Sequence, residues 1–431
     1  MSSYKVTTDK ILQPILHTSK IFLVSAAVLL SLMAVGAYAY LTQLTQGLMV
    51  TGLRDWGVGG GIPWGAYIST FVWYVGIAHG GIAISASIRI MKLDEYKPLA
   101  RMAELLTILS LAGALITIIV DSGRPDRVFN FVVYYLETVG DSPLIWDFTV
   151  VLAYFVLSAI YLGMTMREDV IKLMSRLPSK YKLLYRTVTF GHKEGEKEKV
   201  EQIAWWLALS LVILMALLSG GVIPWIFGLM PSQAGWFGAI QGPYFLTGAL
   251  TSAVAGVIVV ASIAVKVFHW EDLIPEKVFK GLSKMLLILT IIYLWFILHE
   301  HITAQYAGPT AEKTISDALL YGSLSTIFLP VLAILILSVI FLAIQTLSKA
   351  FSLKATLAVS IILLLTFWVK RLLIVMPSLL YPRLTLYPVG SYTPTWVEYT
   401  IIIATVSFVA LAYMIFMKIF PIMEIKEGEQ R

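Results

Sequence analysis

Long apolar runs alternate with short polar segments along the chain from residue 20 to residue 417. Most of these runs hold the roughly 20 residues that a helix needs to cross about 30 Å of hydrocarbon. The pattern therefore predicts an all-α integral membrane protein with about ten transmembrane helices. The predicted spans are residues 20–41, 64–90, 103–121, 145–166, 203–225, 243–265, 285–300, 318–345, 355–375 and 397–417.

The composition agrees with a membrane protein. Hydrophobic residues make up 58% of the 431 residues and charged residues only 13%, whereas about a quarter of a soluble domain is charged. The mean hydropathy is +0.82. The chain has no cysteine, which excludes disulfides and any iron–sulfur cluster held by its own thiolates. We predict no cleavable signal peptide, because the first long apolar run has spanning length.

Lysine and arginine are distributed unevenly among the polar segments. If the N-terminus is cytoplasmic, 25 of the 32 basic residues fall on the cytoplasmic side of the predicted spans. This excess predicts a protein of the cell membrane with both termini in the cytoplasm. Topology thus explains the net charge of +6, and nucleic-acid binding is excluded. The seven residues assigned to the outer side are Arg54, Arg124, Arg127, Lys313, Lys370, Arg371 and Arg383.

The second and sixth spans resemble one another. Each enters through glycine and proline, has an early tyrosine (Tyr67 or Tyr244) and continues with small residues. Because they are four spans apart they cross in the same direction, which predicts two similar four-helix bundles with peripheral helices around them. The predicted units are a cytoplasmic lead (1–19), a peripheral first span with an outer loop (20–62), a first bundle (63–225) with a charged inner loop (167–202), a second bundle (226–375), and an outer loop, last span and cytoplasmic tail (376–431).

Several ionisable residues lie inside or at the ends of apolar runs, where they are costly and are functional candidates by default. His79 is near the middle of the second span, and Asp121 ends the third. Arg124 follows in the outer loop, and Asp147 begins the fourth span. Glu300 ends the seventh span between two histidines. The predicted topology brings all of these except His79 to the outer ends of different helices.

Two interpretations of these residues do not involve a redox substrate. In the structural one, Arg124 ties helix ends together by pairing with a nearby aspartate, namely Asp121, Asp126 or Asp147. In the other, histidines bind haem or a metal. Haem in a bundle usually needs histidines on facing helices. His79 alone is clearly inside a span, and the histidines beside Glu300 are two residues apart, so they cannot share one helix face.

A quinone site is the third interpretation. A quinone needs an apolar cleft open to lipid, a hydrogen-bond donor such as histidine or tyrosine, and carboxylates that exchange protons with water. Histidine titrates in a useful range for this chemistry. The sequence contains these groups and no group that carries electrons by itself.

The same residues carry a resemblance to a known family. WGAYISTFVWYVGIAHGGIAISA, AELLTIL, Asp121-Ser122-Gly123-Arg124-Pro125 and SPLIWD resemble the NrfD/polysulfide-reductase membrane subunits. GWFGAIQGPYFLTGAL and HEHITAQYAG look more like the ten-span branch that includes the membrane subunits of alternative complex III. The resemblance covers roughly residues 20–420.

The resemblance implies an integral membrane subunit that oxidises or reduces a quinone, menaquinone-type or other, near the outer face. It also implies electron exchange with a docked iron–sulfur subunit, which serves a molybdopterin-type catalytic subunit or another respiratory partner. No haem, iron–sulfur cluster or metal is expected in this chain. Carried over from the family, His79 is the expected quinone-side histidine, Asp121 and Arg124 are the motif pair at the pocket, and Asp147 is the acid that opens the next span. With the outer-face cluster added, the predicted catalytic residues are His79, Asp121, Arg124, Asp147 and Glu300, and the predicted quinone contacts are His79, Tyr67, Trp64, Asp121 and Arg124.

Two alternatives stay open at this point. A secondary transporter with parallel repeats also has ten spans and buried ionisable residues. A quinone-reactive subunit that translocates protons as well needs acids towards both sides of the membrane. Glu104 is the candidate in the inner half of the third span.

Overall fold

The computed structural model describes residues 2–53, 61–192, 195–348, 350–381 and 388–425, and the secondary structure of these residues is entirely helical. Arg54 and Arg383, which the charge count includes, lie outside the described residues. The helices are α1 (Ser2–Leu16), α2 (Lys20–Gln46), α3 (Ala66–Ile90), α4 (Lys97–Asp121), α5 (Asn130–Val133), α6 (Tyr135–Thr138), α7 (Pro143–Leu173), α8 (Lys182–Val188), α9 (Lys197–Leu217), α10 (Ile223–Gly228), α11 (Gln241–Phe268), α12 (Glu276–Ala307), α13 (Thr310–Leu320), α14 (Ser325–Leu347), α15 (Leu353–Leu380) and α16 (Trp396–Ile419). A π-helical segment, Leu218–Val222, joins α9 to α10.

Ten long apolar helices confirm the predicted all-α membrane fold. They are α2, α3, α4, α7, the continuous α9–α10 unit, α11, α12, α14, α15 and α16, and each is long and apolar enough to cross a bilayer. Several extend beyond the predicted spans. The seventh begins at Glu276 and the ninth ends at Leu380. Hydropathy marks only the apolar part of a helix, and these helices continue past it.

Two segments differ from the predicted span boundaries. The polar lead 1–19 contains the helix α1, whose Ile11, Leu12 and Ile15 are buried in the core. The predicted eighth span, 318–345, is interrupted near its start, because α13 ends at Leu320 and α14 begins only at Ser325. α13 is a separate amphipathic helix that packs on α12 and α14.

The long helices pack into two closed rings of four. In the first ring, α3 contacts α4, α4 contacts α7, α7 contacts α9, and α9 returns to α3. In the second, α11, α12, α14 and α15 make the same cycle. α2 and α16 pair with each other outside the first ring, and α16 also packs on α4. We call the rings the first bundle and the second bundle.

The two bundles meet where α3 crosses α11. Gly80 makes the closest approach, since a Cβ added there would lie 1.8 Å from the Cβ of Ala253 on α11. The neighbouring Gly81 faces the other way, onto the backbone of Ala103 in α4. Small residues allow helices to approach closely in lipid, where dispersion contacts replace the hydrophobic effect as the main attraction.

The helix ends define two faces of the molecule. The termini face holds α1 and the segment that follows α16, up to residue 425, and the motif face holds the segment 121–125. On the termini face, Lys10 Nζ in α1 lies 2.6 Å from Asp272 in the loop after α11. On the motif face, the Glu398 carboxylate accepts a 2.6 Å hydrogen bond from the backbone N–H of Gly52. Segments far apart in the sequence are thus joined at both ends of the helices.

Candidate functional site

His79 lies at the centre of the first bundle. It occupies the middle of α3, and its ring is fully buried. Nδ1 contacts the carbonyl oxygen of Val75, one turn earlier. The carbonyl of Met215 on α9 faces the ring, but Nε2 makes no hydrogen bond of good geometry among the described residues. The ring of Tyr154 on α7 packs beside it with centroids 5.7 Å apart. One polar nitrogen is therefore held in the bundle interior.

Polar residues form a stripe along the inner face of α7. Asp147, Tyr154, Ser158 and Tyr161 are separated by seven, four and three residues and are all buried, so they share one face of the helix. The two oxygens of Asp147 and the Tyr154 hydroxyl find no hydrogen-bond partner within the described ranges. Asp147 is nearest to the motif face, because α7 begins there.

Glu104 extends this stripe towards the termini face. Its side chain is buried in α4 and faces the hydroxyls of Ser158 and Ser85, although neither makes a hydrogen bond of good geometry. Arg89 Nε donates to the Tyr161 hydroxyl at 3.1 Å, and Arg89 also lies 3.8 Å from Glu424. We call the set Asp147, His79, Tyr154, Glu104, Tyr161 and Arg89 the polar column.

Tyr67 and Asp121 lie outside the polar column, where the first bundle meets α2. The Tyr67 hydroxyl donates to Gln43 Oε1 at 2.7 Å, and Gln43 Nε2 donates to the carbonyl of Val120 at 2.9 Å. Asp121 is close enough to Tyr67 and Glu398 to interact with them electrostatically. The structure thus brings Tyr67 and Asp121 together, but in a place separate from His79.

Glu398 is the centre of this second group, and the sequence analysis missed it. Its carboxylate accepts from the Tyr392 hydroxyl at 2.5 Å and from the N–H groups of Gly52 and Thr395. The Tyr392 hydroxyl in turn accepts from the N–H of Ala66. Burial, followed by the neighbouring carboxylate, raises the pKa of the Tyr392 phenol. Thr395 and Glu398 form a capping box at the start of α16, a T-x-x-E signal that is readable in the sequence.

Arg124 and Asp121 are not brought together. The Arg124 guanidinium makes two hydrogen bonds to Asp126, at 2.9 and 2.8 Å, and both side chains are more than half exposed. The short 3₁₀ turn that begins at Pro125 brings the two side chains side by side. This arrangement is the structural interpretation of Arg124, with Asp126 as its partner. The Arg124 hydrogen bonds hold the pKa of the Asp126 carboxyl below its usual value of 3.8.

Trp64 lies at the boundary of the two bundles on the motif face. Its ring stacks on Trp236 with centroids 6.0 Å apart and meets the edge of Phe227 at 6.3 Å. Trp236 is itself buried and donates from Nε1 to the carbonyl of Ile374 in α15. Trp64 therefore packs against the second half of the chain, away from Tyr67 and His79.

Glu300 belongs to the second bundle. It lines a cavity of about 420 Å³ between the loop 235–241, α12 and α13. Glu300 interacts electrostatically with Lys370 on α15. His301 beside it is buried and shares a 2.9 Å hydrogen bond with the Ser316 hydroxyl, whereas His299 is exposed. The predicted site residues therefore lie in five places in the fold: His79 with Asp147, Tyr67 with Asp121, Arg124, Trp64, and Glu300.

Lys370 and Arg371 are buried, which corrects their assignment to the outer loop. Only 2% of each residue is exposed. Because α15 continues to Leu380, they lie about 14 to 15 Å before its end, at 1.5 Å per residue. Lys370 Nζ lies 5.6 and 5.3 Å from the ring centroids of Tyr244 and Phe328. They do not belong to either neighbouring loop, and the predicted outer side then holds five basic residues.

The Arg371 side chain extends to α11, the helix at which the two bundles meet. Its guanidinium lies 4.8 Å from the ring centroid of Phe245. Nε and Nη1 have no hydrogen-bond partner in the part of the chain that the structure describes. A Cβ placed on Gly248 would lie 2.8 Å from Nη2, so glycine makes room for this side chain. In the same described part, no three histidine, aspartate or glutamate residues are arranged to hold a metal ion.

Comparison with known proteins shows the family. The model of the NrfD polysulphide reductase family matches residues 57–383, which cover both bundles. The chain belongs to this family. The resemblance carried by the segments around His79, Asp121 and Asp147 is thereby confirmed. Membership and ten apolar helices together make it a multi-pass membrane protein.

Three relatives are similar to parts of the chain. A putative dimethyl sulfoxide reductase membrane subunit of Halobacterium salinarum is 31% identical over 55% of this chain and 50% of its own length. A selenate reductase subunit of Mesobacillus selenatarsenatis is 22% identical over 68% of each chain. An Hdr-like menaquinol oxidoreductase integral membrane subunit of Archaeoglobus fulgidus is 26% identical over 33% of each. The chain thus spans about half the length of the Halobacterium protein.

Proposed function

We propose that this protein is the quinone-reactive membrane subunit of a multi-subunit respiratory oxidoreductase. The observation that supports it most directly is the arrangement of His79, Tyr154 and Asp147 in the first bundle. These residues hold unpartnered polar atoms inside the first bundle, and a ring with two oxygens needs such groups to bind it. The relatives named as reductase subunits and as a menaquinol oxidoreductase subunit agree with this proposal.

The chemistry follows from what the residues can exchange. Oxidation of a quinol releases two electrons and two protons. Imidazole and carboxylate accept protons, so His79 and Asp147 are the proposed proton acceptors. The two electrons need a separate acceptor. We propose that they pass to an iron–sulfur subunit docked on the motif face, and from there to a molybdopterin-type catalytic subunit or another respiratory partner.

We also propose that the protein translocates protons along the polar column. The polar column continues from His79 through Glu104 and Tyr161 to Arg89 and the termini face. Carboxyl and hydroxyl groups that follow one another along a helix bundle can relay protons through water molecules between them. Glu104→Gln keeps the shape of the side chain and removes its acid. We expect fewer protons to be translocated per quinol oxidised in this variant, and we expect quinol binding to be unchanged.

Turnover by the purified complex tests the site. His79→Ala should lower quinol oxidation about 100-fold or more, in the range expected for loss of a general base. Asp147→Asn should lower it similarly, and His192→Ala, an exposed histidine in the inner loop, should not. Asp121→Asn tests the separate group beside Tyr67. Normal turnover in both His79→Ala and Asp147→Asn would remove the site assignment.

The orientation proposed here puts both termini in the cytoplasm and the motif face outside. It rests on the basic residues, of which five remain on the outer side once Lys370 and Arg371 are recognised as buried. The absence of cysteine from the sequence makes labelling direct. Glu137→Cys on the motif face should react with an impermeant maleimide in intact cells, and Lys182→Cys should react only after lysis. The opposite pattern reverses the orientation.

A secondary transporter is the second candidate function. The π-helical segment Leu218–Val222, with Pro224 behind it, interrupts a spanning helix, and broken helices are typical of transporter binding sites. Solute uptake by proteoliposomes that contain this chain alone would favour the transporter. Co-purification with an iron–sulfur subunit would favour the oxidoreductase.

A further inference from the structure

The cavity in the second bundle has the features of a ligand site. Its volume of about 420 Å³ falls within the range of small-molecule pockets, roughly 300–1,000 Å³. Its walls come from the loop 235–241, the last third of α12 and the inner face of α13. It reaches the molecular surface, because His299 and Thr303 on its wall are exposed.

Two buried side chains on its walls each present an unpaired polar atom. Gln241 is 4% exposed and His301 is 8% exposed. Gln241 Nε2 donates to the carbonyl of Gly235 at 3.3 Å, and His301 Nδ1 is bound to the Ser316 hydroxyl. Gln241 Oε1 and His301 Nε2 have no partner within the described residues. Each side chain is thus held at one end, and its other polar atom lies buried in the cavity wall without a protein partner.

The charge of the walls restricts the class of ligand. Glu300 and Glu312 are the ionisable acids that line the cavity, and its lining contains no lysine or arginine among the described residues. Lys370 lies behind Glu300, in an adjoining space large enough for about one water. Two carboxylates at the wall disfavour a phosphate head group, whereas hydroxyl donors would satisfy the free oxygen and nitrogen acceptors.

The surface beside the cavity is suited to an apolar tail. Trp295, Leu298 and Ile302 on α12 are 61%, 50% and 57% exposed. They lie on the outer side of the helix whose inner side carries His301. A ligand with a small polar ring and a long apolar chain could place its ring in the cavity and its chain against this surface, in contact with lipid.

We propose that this cavity binds the head group of a second quinol, distinct from the quinol of the first bundle. The inference rests on the proposed quinone-linked function. In the tautomer whose Nδ1–H donates to the Ser316 hydroxyl, His301 Nε2 accepts one hydroxyl hydrogen, and Gln241 Oε1 accepts the other. The pocket is a binding site, and the proposal includes no electron transfer there. The proposal assigns Glu300 to this second quinol pocket and not to the site at His79.

Photoaffinity labelling tests the proposal on the full-length chain in lipid nanodiscs, with an azido-quinol as the probe. Label should map to two groups of peptides, one around residue 79 and one in 235–241 and 299–319. Gln241→Leu and His301→Ala should weaken probe binding at the second group about tenfold, equivalent to one hydrogen bond, and leave the first unchanged. His192→Ala, which removes an exposed histidine of the inner loop away from both sites, should change neither group.

The outcomes separate this inference from the proposed function. His79→Ala should remove the first label and leave the second. Label confined to the region of residue 79 would overturn the second pocket while the proposed function stands. Label confined to 235–241 and 299–319 would overturn the first-bundle site and keep the pocket. If both second-site variants fold, with thermal midpoints near the wild-type value, and retain full label, the pocket assignment fails. A bound phospholipid lost in Gln241→Leu, seen by native mass spectrometry, would also overturn it.

Discussion

The two four-helix bundles share one plan of packing but have opposite interior chemistry. In the first bundle the buried ionisable residues at the centre are His79, Glu104 and Asp147. In the second they include Lys370 and Arg371, which are surrounded by aromatic rings. Carboxyl and imidazole groups gain and lose protons readily, whereas a guanidinium keeps its charge. The first bundle is therefore suited to proton exchange and the second to a permanent positive charge.

The two bundles also differ in how their buried arginines are satisfied. Arg101, in α4, donates to the carbonyls of Met423 and Thr165 and forms a 2.6 Å ion pair with Asp169. Arg371 is equally buried, but two of its nitrogens have no partner in the described part of the chain. Nε of Arg101 also lacks a partner among the described residues, but its two other nitrogens are bonded. A buried arginine paired with a carboxylate has its charge balanced, whereas one without a carboxylate costs free energy and is the stronger functional candidate.

The largest expected effect comes from replacing these arginines one at a time. Arg101→Met leaves Asp169 buried without its partner and should lower the free energy of unfolding by about 3–5 kcal/mol. Arg371→Met removes an underbonded charge and should leave stability unchanged or raise it. Thermal unfolding in detergent measures both. Equal losses would show that the Arg371 contact with Phe245 stabilises the fold as much as an ion pair does.

Stability should be nearly as sensitive to a substitution where α3 of the first bundle crosses α11 of the second. Gly80→Ala adds a Cβ that would lie 1.8 Å from the Cβ of Ala253, so α3 and α11 must move apart. Overpacking of this kind costs about 1–3 kcal/mol. Gly163→Ala in α7 is the matched control, since a Cβ there meets nothing within 4 Å among the described residues. If Gly80→Ala has the stability of the wild type, the crossing is less tight than the structure indicates.

Removing one tyrosine hydroxyl from each bundle in turn should show which bundle carries out quinol oxidation. Tyr154→Phe removes a hydroxyl beside His79 and should slow quinol oxidation about tenfold, which corresponds to one hydrogen bond. Tyr293→Phe removes a buried hydroxyl from the second bundle. The ring that carries it packs against the rings of Tyr244 and Phe367. This substitution should leave the rate unchanged. A larger loss of rate in Tyr293→Phe would move the reaction to the second bundle.

The smallest effect is expected outside both bundles, at the exposed pair of Arg124 and Asp126. Because the pKa of Asp126 is lowered in the folded protein, the pair contributes stability above the unfolded pKa, near 3.8. That contribution is lost as the pH falls through the lower folded pKa. Thermal midpoints of the wild type and Asp126→Asn should therefore differ slightly at pH 6 and converge near pH 2. A constant difference would contradict this assignment, and Asp126→Asn should not change turnover.

Much of the fold could be predicted because bilayer thickness controls helix length. Ten runs of apolar residues became ten helices, and the family was recognisable from the segments around His79, Asp121 and Asp147. The grouping of the site residues could not be predicted in this way. His79, Tyr67 and Glu300 lie in three separate environments, although the topology placed most of the site residues near one face. Topology gives the depth of a residue, but not the direction in which its helix face points.

Buried polar contacts in this protein were decided by tertiary structure. Lys370 and Arg371 resemble loop residues in the sequence, because a basic pair near the end of an apolar run usually marks a membrane boundary. Only the packing of α15 against α11 and α14 shows that they are inside. The sequence by itself determined the class of protein, its spans and its family, since these depend on local hydropathy and motifs. The ring packing of the helices decided which polar groups meet, because those contacts join residues that are far apart along the chain.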